Sequence, residues 1–116
     1  MDVALTGYGR YVPEEVLTGA EVAEQSGLPE EVVVEKMGMH HKHVCPPEDD
    51  HCTDMALKAA EEALADAGLD AADVGLVLYH GSEYKDYLVW SAAANIAERL
   101  GAANAYATES YTLCAG

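Results

Sequence analysis

The sequence predicts an α/β layered fold, in which helices alternate with mostly parallel strands. Small apolar residues recur at helical spacing over residues 55–67, with charged residues opposite them, until Gly68 ends the pattern. Residues 74–79 form a near-continuous apolar run, which is typical of a parallel strand covered on both faces. Strand and helix patterns then alternate along the chain, and this alternation indicates the α/β class.

The first third of the chain contains a predicted strand and two short helices. Residues 3–9 are apolar and end in glycines, which predicts a buried strand. Thr18 and Glu21 have the spacing of a capping box, which opens a short helix. Residues 29–38 run from a proline to a glycine and predict a second helix. Residues 39–50 are polar and rich in histidine, so we expect a strand or extended piece that runs into a loop.

The remaining elements follow the alternation. Thr53 is predicted to cap the helix over residues 55–67, and Asp70 one further turn. After the apolar strand, a polar loop leads to a helix over residues 89–100. Residues 103–108 then predict a last strand. With no interior linker, we expect one domain over residues 1–116.

Composition and charge exclude several classes of protein. Six basic residues stand against 21 acidic ones, giving a net charge of −15, so the chain repels nucleic acid. No apolar run approaches the roughly 20 residues of a membrane span, and the start lacks the basic region of a signal peptide. Three cysteines at uneven spacing do not form a disulfide framework, so a cytoplasmic location is expected.

Cys114 is the residue whose local sequence permits nucleophilic chemistry. It follows a predicted strand and precedes small residues, as at a tight turn from a strand into a helix. There, free backbone amides favour the thiolate and can stabilise a thioester oxyanion. On local sequence alone, however, a lone cysteine is more often a small buried apolar residue.

A dense group of histidines and cysteines raises the question of a metal site. Its spacing fits no standard zinc pattern, and adjacent strand residues point to opposite faces, so no metal is predicted. The group consists of His40, His41, His43, Cys45, His51 and Cys52.

Four stretches of the chain, in order, resemble the amino-terminal part of the thiolase superfamily, and specifically the β-ketoacyl-acyl-carrier-protein synthase III family. Residues 7–13 are similar to that family's glycine strand and Y-[LVI]-P turn, and residues 36–44 to its R-x-G-I-x-x-R-H segment. Residues 56–78 match its alanine-rich helix and strand, and residues 113–116 its A-C-A-G nucleophile elbow. The resemblance implies the amino-terminal half of a thiolase-like layered fold, apparently truncated just after the nucleophile.

The resemblance also implies an activity. Members of the family transfer an acyl group from a thioester to a cysteine, here Cys114, and condense it with a decarboxylating malonyl thioester in fatty acid or polyketide-type biosynthesis. A histidine and an asparagine from the carboxy-terminal half assist, so this chain alone should be inactive. No cofactor is expected, since acyl-CoA or acyl-carrier-protein thioesters are the substrates, and the family resemblance implies a homodimer. The acidic charge of this chain weighs slightly against its docking an acidic carrier by itself.

Further substrate-binding residues are carried over from the resemblance. Lys36 stands where the family has an arginine near the CoA phosphates, and Val32 where an aromatic residue stacks on the adenine. Lys36 lacks the planar guanidinium and Val32 cannot stack, which weakens the expectation of CoA as donor. Leu88, Val89 and Trp90 belong to a loop that, in the family, crosses a dimer two-fold axis and closes the acyl pocket of the partner, so the bulky Trp90 predicts a short acyl group. Packing at the start of a helix is the alternative role of these residues.

Two other functions remain open from the sequence. Residues 81–83 match the [GA]-[ST]-E segment of hydroxymethylglutaryl-CoA synthases, where the glutamate is a general acid/base, so Glu83 is a second catalytic candidate. An exposed loop acid is the alternative for Glu83. The other class of function is a non-catalytic acidic or metal-binding module.

Overall fold

A computed structural model of the chain describes residues 2–45, 51–81, 86–87, 89–112 and 114. The strands and helices follow in the order β1 (Val16–Thr18), α1 (Gly19–Ser26), β2 (His41–His43), α2 (Cys52–Ala67), β3 (Leu76–His80), α3 (Ala92–Leu100) and β4 (Tyr106–Ser110). A wide helical turn covers Val32–Lys36, and a short 3-10 turn covers Ala71–Asp73. The chain divides into a smaller unit, Val12–Asp49, and a larger unit formed by Met1–Tyr11 with Asp50–Gly116. That these units make up the one domain expected over residues 1–116 stays a prediction.

In the smaller unit, β1 and β2 pair as antiparallel strands and lead into α1. Val16 lies opposite His43 and Thr18 opposite His41. The predicted capping box is confirmed: the Thr18 hydroxyl accepts from the Glu21 amide at 3.3 Å, and the Glu21 carboxylate accepts from the Thr18 amide at 2.7 Å. Thr18 is therefore both the last residue of β1 and the cap of α1, because its backbone stays extended while its side chain caps the helix.

The predicted helix after Pro29 is also present, wound more widely than an α-helix. The Pro29 carbonyl accepts from the amides of Val32 and Val33, and Met37 bonds back to the Val32 carbonyl. Val33 is buried and forms part of the apolar core of this unit together with Ala23. The turn thus presents Lys36 at its exposed end while Val32 stays half-buried.

The larger unit is built on the parallel pair β3 and β4, with Leu76 opposite Tyr106 and His80 opposite Ser110. Helix α3 packs against both strands, and α2 packs against α3. The core lies under α3 and consists mainly of alanine, which lets backbone elements approach closely; its buried residues are Ala92, Ala93, Ile96, Ala97 and Ala102. The parallel pairing expected from the apolar run at residues 74–79 is therefore confirmed.

The prediction that this strand is covered on both faces is wrong for the described residues. Val77 and Tyr79, on one face, are half-buried, whereas Leu76 and Leu78 on the other are 56% and 58% exposed. Tyr106 of β4, opposite Leu76, is also exposed. An apolar run signals burial on both faces, but the covering element need not lie in the same stretch of chain.

The predicted strand at residues 3–9 is wrong as well. These residues lie along α2 and join no strand within the described part of the chain, and Leu5 is 90% exposed. The amides of Tyr8 and Arg10, which would pair with a strand, instead donate to the carboxylates of Asp66 and Glu62 on α2, at 3.0 and 2.7 Å. Side chains of α2 therefore satisfy the backbone that a sheet would otherwise pair.

Helix boundaries in the larger unit differ slightly from the prediction. Helix α2 begins at Cys52 with His51 as its cap, where the Asp54 carboxylate accepts from the His51 amide at 3.1 Å. Thr53, predicted as the cap, is buried and donates its hydroxyl proton to the Asp86 carboxylate. Helix α3 begins at Ala92 because the hydroxyl of Ser91 caps it. Among the helices that the structure describes, none has the length and apolar character needed to cross a bilayer.

Candidate active site

Cys114 lies just beyond the carboxyl end of the parallel pair. Strand β4 ends at Ser110, whose hydroxyl lies 3.2 Å from that of Thr112, and the chain continues to Cys114. The Cys114 thiol is free and exposed, so a substrate can reach it. This exposure argues against the reading of Cys114 as a small buried apolar residue. Residues 115–116, which follow Cys114 at the predicted helix start, lie outside the described residues, so the oxyanion-stabilising amides stay a prediction.

Two tyrosines flank the end of β3 next to the strand that leads to Cys114. The rings of Tyr79 and Tyr111 lie 6.4 Å apart, and the Gly81 amide donates to the Ser110 carbonyl at 3.2 Å. A Cβ atom at Gly81 would lie 2.8 Å from the Tyr79 ring, so only glycine fits between these rings without a shift. Burial raises the pKa of Tyr79, and the neighbouring Cys52, Tyr111, Asp86 and Glu109 raise it further.

The Glu109 carboxylate links β4 to the start of α3. Its Oε1 accepts from the Ser91 hydroxyl and from the Ala93 amide, both at 3.1 Å. The Ser91 hydroxyl also accepts from the Ala94 amide at 3.2 Å. Amides at a helix start lack partners within the helix, so one is satisfied by Ser91 and another by Glu109.

Asp86 binds the start of α2 in a similar way. Its carboxylate accepts from the Thr53 hydroxyl and lies 3.5 Å from the Thr53 amide. Asp86 and Ser91 bracket the segment that carries Tyr87, Val89 and Trp90. Both ends of that segment are therefore held by carboxylate–hydroxyl hydrogen bonds.

A polar pocket of about 360 Å³ lies beside this segment, between the start of α2 and the side of α3. Within it, the Arg99 guanidinium pairs with the Asp54 carboxylate at 2.7 Å. The Trp90 ring forms one wall and meets the Tyr87 ring edge-on, with centroids 5.1 Å apart. The lining residues are His51, Thr53, Asp54, Asp86, Tyr87, Trp90, Asn95 and Arg99.

The other predicted site residues fall into three groups. Lys36 and Val32 lie on the wide turn of the smaller unit, the first exposed and the second half-buried. Val89 is 94% exposed, whereas Trp90 beside it is half-buried. Glu83 and Leu88 lie outside the described residues, so the roles assigned to them stay predictions.

The histidine-rich stretch has a structural explanation for one member. His43 donates from Nδ1 to the Pro13 carbonyl at 2.7 Å, and its ring meets that of His41 edge-on. In the part of the chain that the structure describes, no three histidine, cysteine, aspartate or glutamate side chains are arranged to hold a metal ion.

Sequence reasoning missed Glu109, Asp86 and the two tyrosines. Glu109 is an acidic residue close after the predicted strand at 103–108, and alternation along that strand could have placed it on the helix side. Asp86 carried no such signal, because Thr53, its partner, lies 33 residues away in sequence.

Two known proteins are similar in sequence to this chain over nearly its whole length. Over 116 residues the chain is 36% identical to β-ketoacyl-acyl-carrier-protein synthase III of Geobacillus kaustophilus, covering 100% of this chain and 37% of that protein. Over 112 residues it is 37% identical to the enzyme of the same name from Kocuria rhizophila, covering 97% of this chain and 31% of that protein. The predicted resemblance to β-ketoacyl-acyl-carrier-protein synthase III is confirmed. No family model matches the chain.

Solved structures agree with the synthase III resemblance. The priming β-ketosynthase of a polyketide biosynthetic pathway superposes with a TM-score of 0.84 at 25% identity, over 93% of this chain and 32% of that one. The 3-oxoacyl-(acyl carrier protein) synthase III of Pseudomonas aeruginosa superposes with a TM-score of 0.72 at 30% identity, over 91% and 31%. The predicted thiolase-like α/β fold is thereby confirmed. The chain spans about a third of the length of the relatives and structures that it matches.

Proposed function

We propose that the complete protein is a Claisen-condensing acyltransferase of the synthase III type, and that Cys114 is its acyl acceptor. The observation that carries the proposal is the exposed free thiol of Cys114, just past the carboxyl end of β4 in a chain similar to synthase III over its whole length. A cysteine thiolate attacks the thioester carbonyl, the acyl group passes to sulfur, and the carrier thiol leaves. A malonyl thioester then loses CO2, and its carbanion attacks the carbonyl of the acyl-cysteine. The bond to sulfur breaks, which frees the Cys114 thiolate and releases a 3-oxoacyl thioester, in fatty acid or polyketide-type biosynthesis.

Acylation of Cys114 tests this proposal directly. The full-length protein is incubated with acetyl-CoA, digested and analysed by mass spectrometry. We expect the peptide that contains Cys114 to gain the mass of one acetyl group, and Cys114→Ser to abolish the gain. Cys45→Ser is the matched control, because Cys45 is also exposed and forms no disulfide but lies in the smaller unit. An unmodified Cys114 in the wild-type protein would overturn the assignment.

We propose that Lys36 contributes to binding the phosphates of a CoA donor. Its exposure and its position at the end of the wide turn support this role, and the half-buried Val32 would offer only apolar contact to the adenine. Lys36→Ala should raise KM for acetyl-CoA with little change in kcat, and leave unchanged the reaction of a short acyl thioester that lacks the nucleotide. Equal effects on both donors would exclude this role.

Val89 and Trp90 have separate proposed roles. Val89 is almost fully exposed although apolar, and Tyr87 is 67% exposed, which supports a homodimer that covers this segment. Trp90, which the Tyr87 ring meets edge-on, would restrict the acyl pocket of the partner to short chains. Val89→Asp should weaken dimerisation in light-scattering measurements, and Trp90→Ala should extend the accepted acyl length. A monomeric wild-type protein, or an unchanged acyl preference, would refute the corresponding role.

A hydroxymethylglutaryl-CoA synthase-like reaction is the second candidate. It is favoured by the end of β3 at His80, which leaves Glu83 three residues past a parallel strand, as in the matched segment. Glu83→Ala in the full-length protein separates the two reactions. Loss of condensation with retained acylation of Cys114 would favour the second reaction, and retained condensation with a malonyl thioester the first.

The proposed reaction needs no bound cofactor, because the thioester substrates carry the activated carbon. We propose a cytoplasmic location, which is consistent with three cysteines that form no disulfide in the described residues.

A further inference from the structure

We propose that Glu109 is a positioning residue that holds the strand leading to Cys114 against the segment in front of α3, and so tunes which acyl groups Cys114 accepts. The proposal rests on the proposed function. It concerns a residue to which neither the sequence resemblance nor the matched proteins give a role.

The hydrogen bonds of Glu109 require an acceptor with the properties of a carboxylate. Ser91 uses a hydroxyl lone pair to cap α3 through the Ala94 amide, so its proton must go to another acceptor, and Glu109 Oε1 lies 3.1 Å away. The same oxygen accepts from the Ala93 amide at 3.1 Å. A negative charge is favoured there because the start of a helix carries a partial positive charge.

The position of Glu109 makes these bonds relevant to the nucleophile. Glu109 is the last residue but one of β4, opposite Tyr79 of β3, and Cys114 follows five residues later. Ser91 follows directly on Trp90, the residue proposed to limit acyl length. One side chain therefore joins the strand before the nucleophile to the segment that, in the proposed homodimer, would close the acyl pocket of the partner.

The other end of that segment is already held, because Asp86 accepts from the buried hydroxyl of Thr53 at the start of α2. With both ends tied, Trp90 has a defined place relative to the strand. Releasing the Glu109 end removes the hydrogen bonds that tie Ser91 and Ala93 to β4, while the bond between Asp86 and Thr53 stays in place. Since a displacement of about 1 Å can cost roughly 100-fold in rate, a partial release should change both rate and selectivity.

The test compares Glu109→Ala and Glu109→Gln in the full-length protein. The kcat/KM for acylation of Cys114 is measured with a short and a medium-length acyl-CoA. We expect Glu109→Ala to lower kcat/KM for the short donor about tenfold and to change the ratio between the two donors at least about threefold. Glutamine keeps an acceptor oxygen but loses the charge. The ratio of kcat/KM between the two donors in Glu109→Gln should therefore lie between the ratios of the wild type and of Glu109→Ala.

Glu21→Gln is the matched control, because Glu21 also accepts from a hydroxyl and an amide at a helix start, but in the smaller unit. It should leave the ratio between donors unchanged. A change that only unfolds part of the protein lowers both rates equally, so an unchanged ratio in both Glu109 variants would overturn the proposal. If Glu109→Ala does not fold, Ser91→Ala removes the same hydroxyl link and must shift the ratio.

Alkylation separates this proposal from the proposed function. Iodoacetamide reacts with Cys114 whether or not the protein accepts acyl groups, and Cys45 serves as the internal reference. Glu109→Ala should change the alkylation rate of Cys114 by about threefold or more relative to Cys45. If the wild-type protein takes no acyl group, the proposed function fails, but the alkylation comparison still tests the role of Glu109. Equal alkylation rates of Cys114 in the wild type and in Glu109→Ala would reject that role.

Discussion

Replacement of Gly7 by alanine should destabilise the larger unit, although the same change at most open positions is neutral or stabilising. A Cβ atom on Gly7 would lie 2.5 Å from the Ala63 carbonyl oxygen and 2.6 Å from the Ala67 Cβ atom, both fixed on α2. Since such contacts are favourable only near 3.5–4.0 Å, residues 6–10 would have to move away from α2 by roughly 1 Å. That movement also stretches the hydrogen bonds from the Tyr8 and Arg10 amides to the α2 carboxylates.

The expected magnitude follows from two opposing effects. Overpacking of this kind costs about 1–3 kcal/mol, and alanine recovers about 0.4–1 kcal/mol by restricting the unfolded chain. The net expectation is a loss of about 0–2.6 kcal/mol in the free energy of unfolding, centred on about 1.3 kcal/mol.

Urea unfolding followed by circular dichroism measures this difference as a shift in the midpoint concentration. Gly75→Ala is the matched control, because a Cβ atom at Gly75 would meet no atom within 4 Å and its backbone is not left-handed. Its stability should stay level or rise by up to about 1 kcal/mol. Equal midpoints for the two variants would refute the close approach of residues 6–10 to α2.

Three further predictions concern charges and pH. Because the Thr18 amide and hydroxyl lower the pKa of Glu21, its stabilisation of α1 is complete above the ordinary carboxyl pKa and is lost as the pH falls through the lowered value. The gap between wild-type and Glu21→Gln urea midpoints should therefore close on acidification, and a constant gap would contradict the capping role. Arg99→Gln should cost at most about 0.3–1 kcal/mol, because its pair with Asp54 is about one-third exposed, and the loss should shrink at high salt in thermal melts. Because burial raises the pKa of Tyr79, the unfolded form loses its proton first and stability falls above the ordinary tyrosine pKa. Tyr79→Phe should move the alkaline unfolding midpoint to higher pH, and an unchanged midpoint would count against this burial.

What sequence reasoning predicted well depends on neighbours in the chain. The capping box at Thr18 and Glu21 is formed by residues three apart, so its pattern is sufficient to place α1. The parallel pairing of β3 and β4 follows from the helix between them, because a crossover of this kind joins parallel strands.

What it predicted poorly depends on partners far away in the chain. Residues 3–9 have the composition of a strand, but the Tyr8 amide and the neighbouring Arg10 amide donate to α2 carboxylates rather than to a strand. Thr53 has the character of a cap, yet its hydroxyl binds Asp86, which no local pattern indicates. At the candidate site, Cys114 was found through resemblance, whereas Glu109 was overlooked because its partners are 16 and 18 residues away.

The exposed side of the β3–β4 pair bears on how copies of this chain behave in solution. In the described residues, one face of this sheet is apolar and exposed, through Leu76, Leu78 and Tyr106, and each strand has one unpaired edge. Exposed apolar faces and unpaired strand edges both promote association and precipitation. The net charge of −15 acts in the opposite direction, because copies repel one another over about 10 Å at 0.1 M salt. Added salt shortens that range to about 3 Å at 1 M and leaves the apolar attraction intact. Ionic strength alone should therefore decide whether copies of this chain associate. Low salt keeps them apart through charge repulsion, and high salt lets the apolar sheet faces come together.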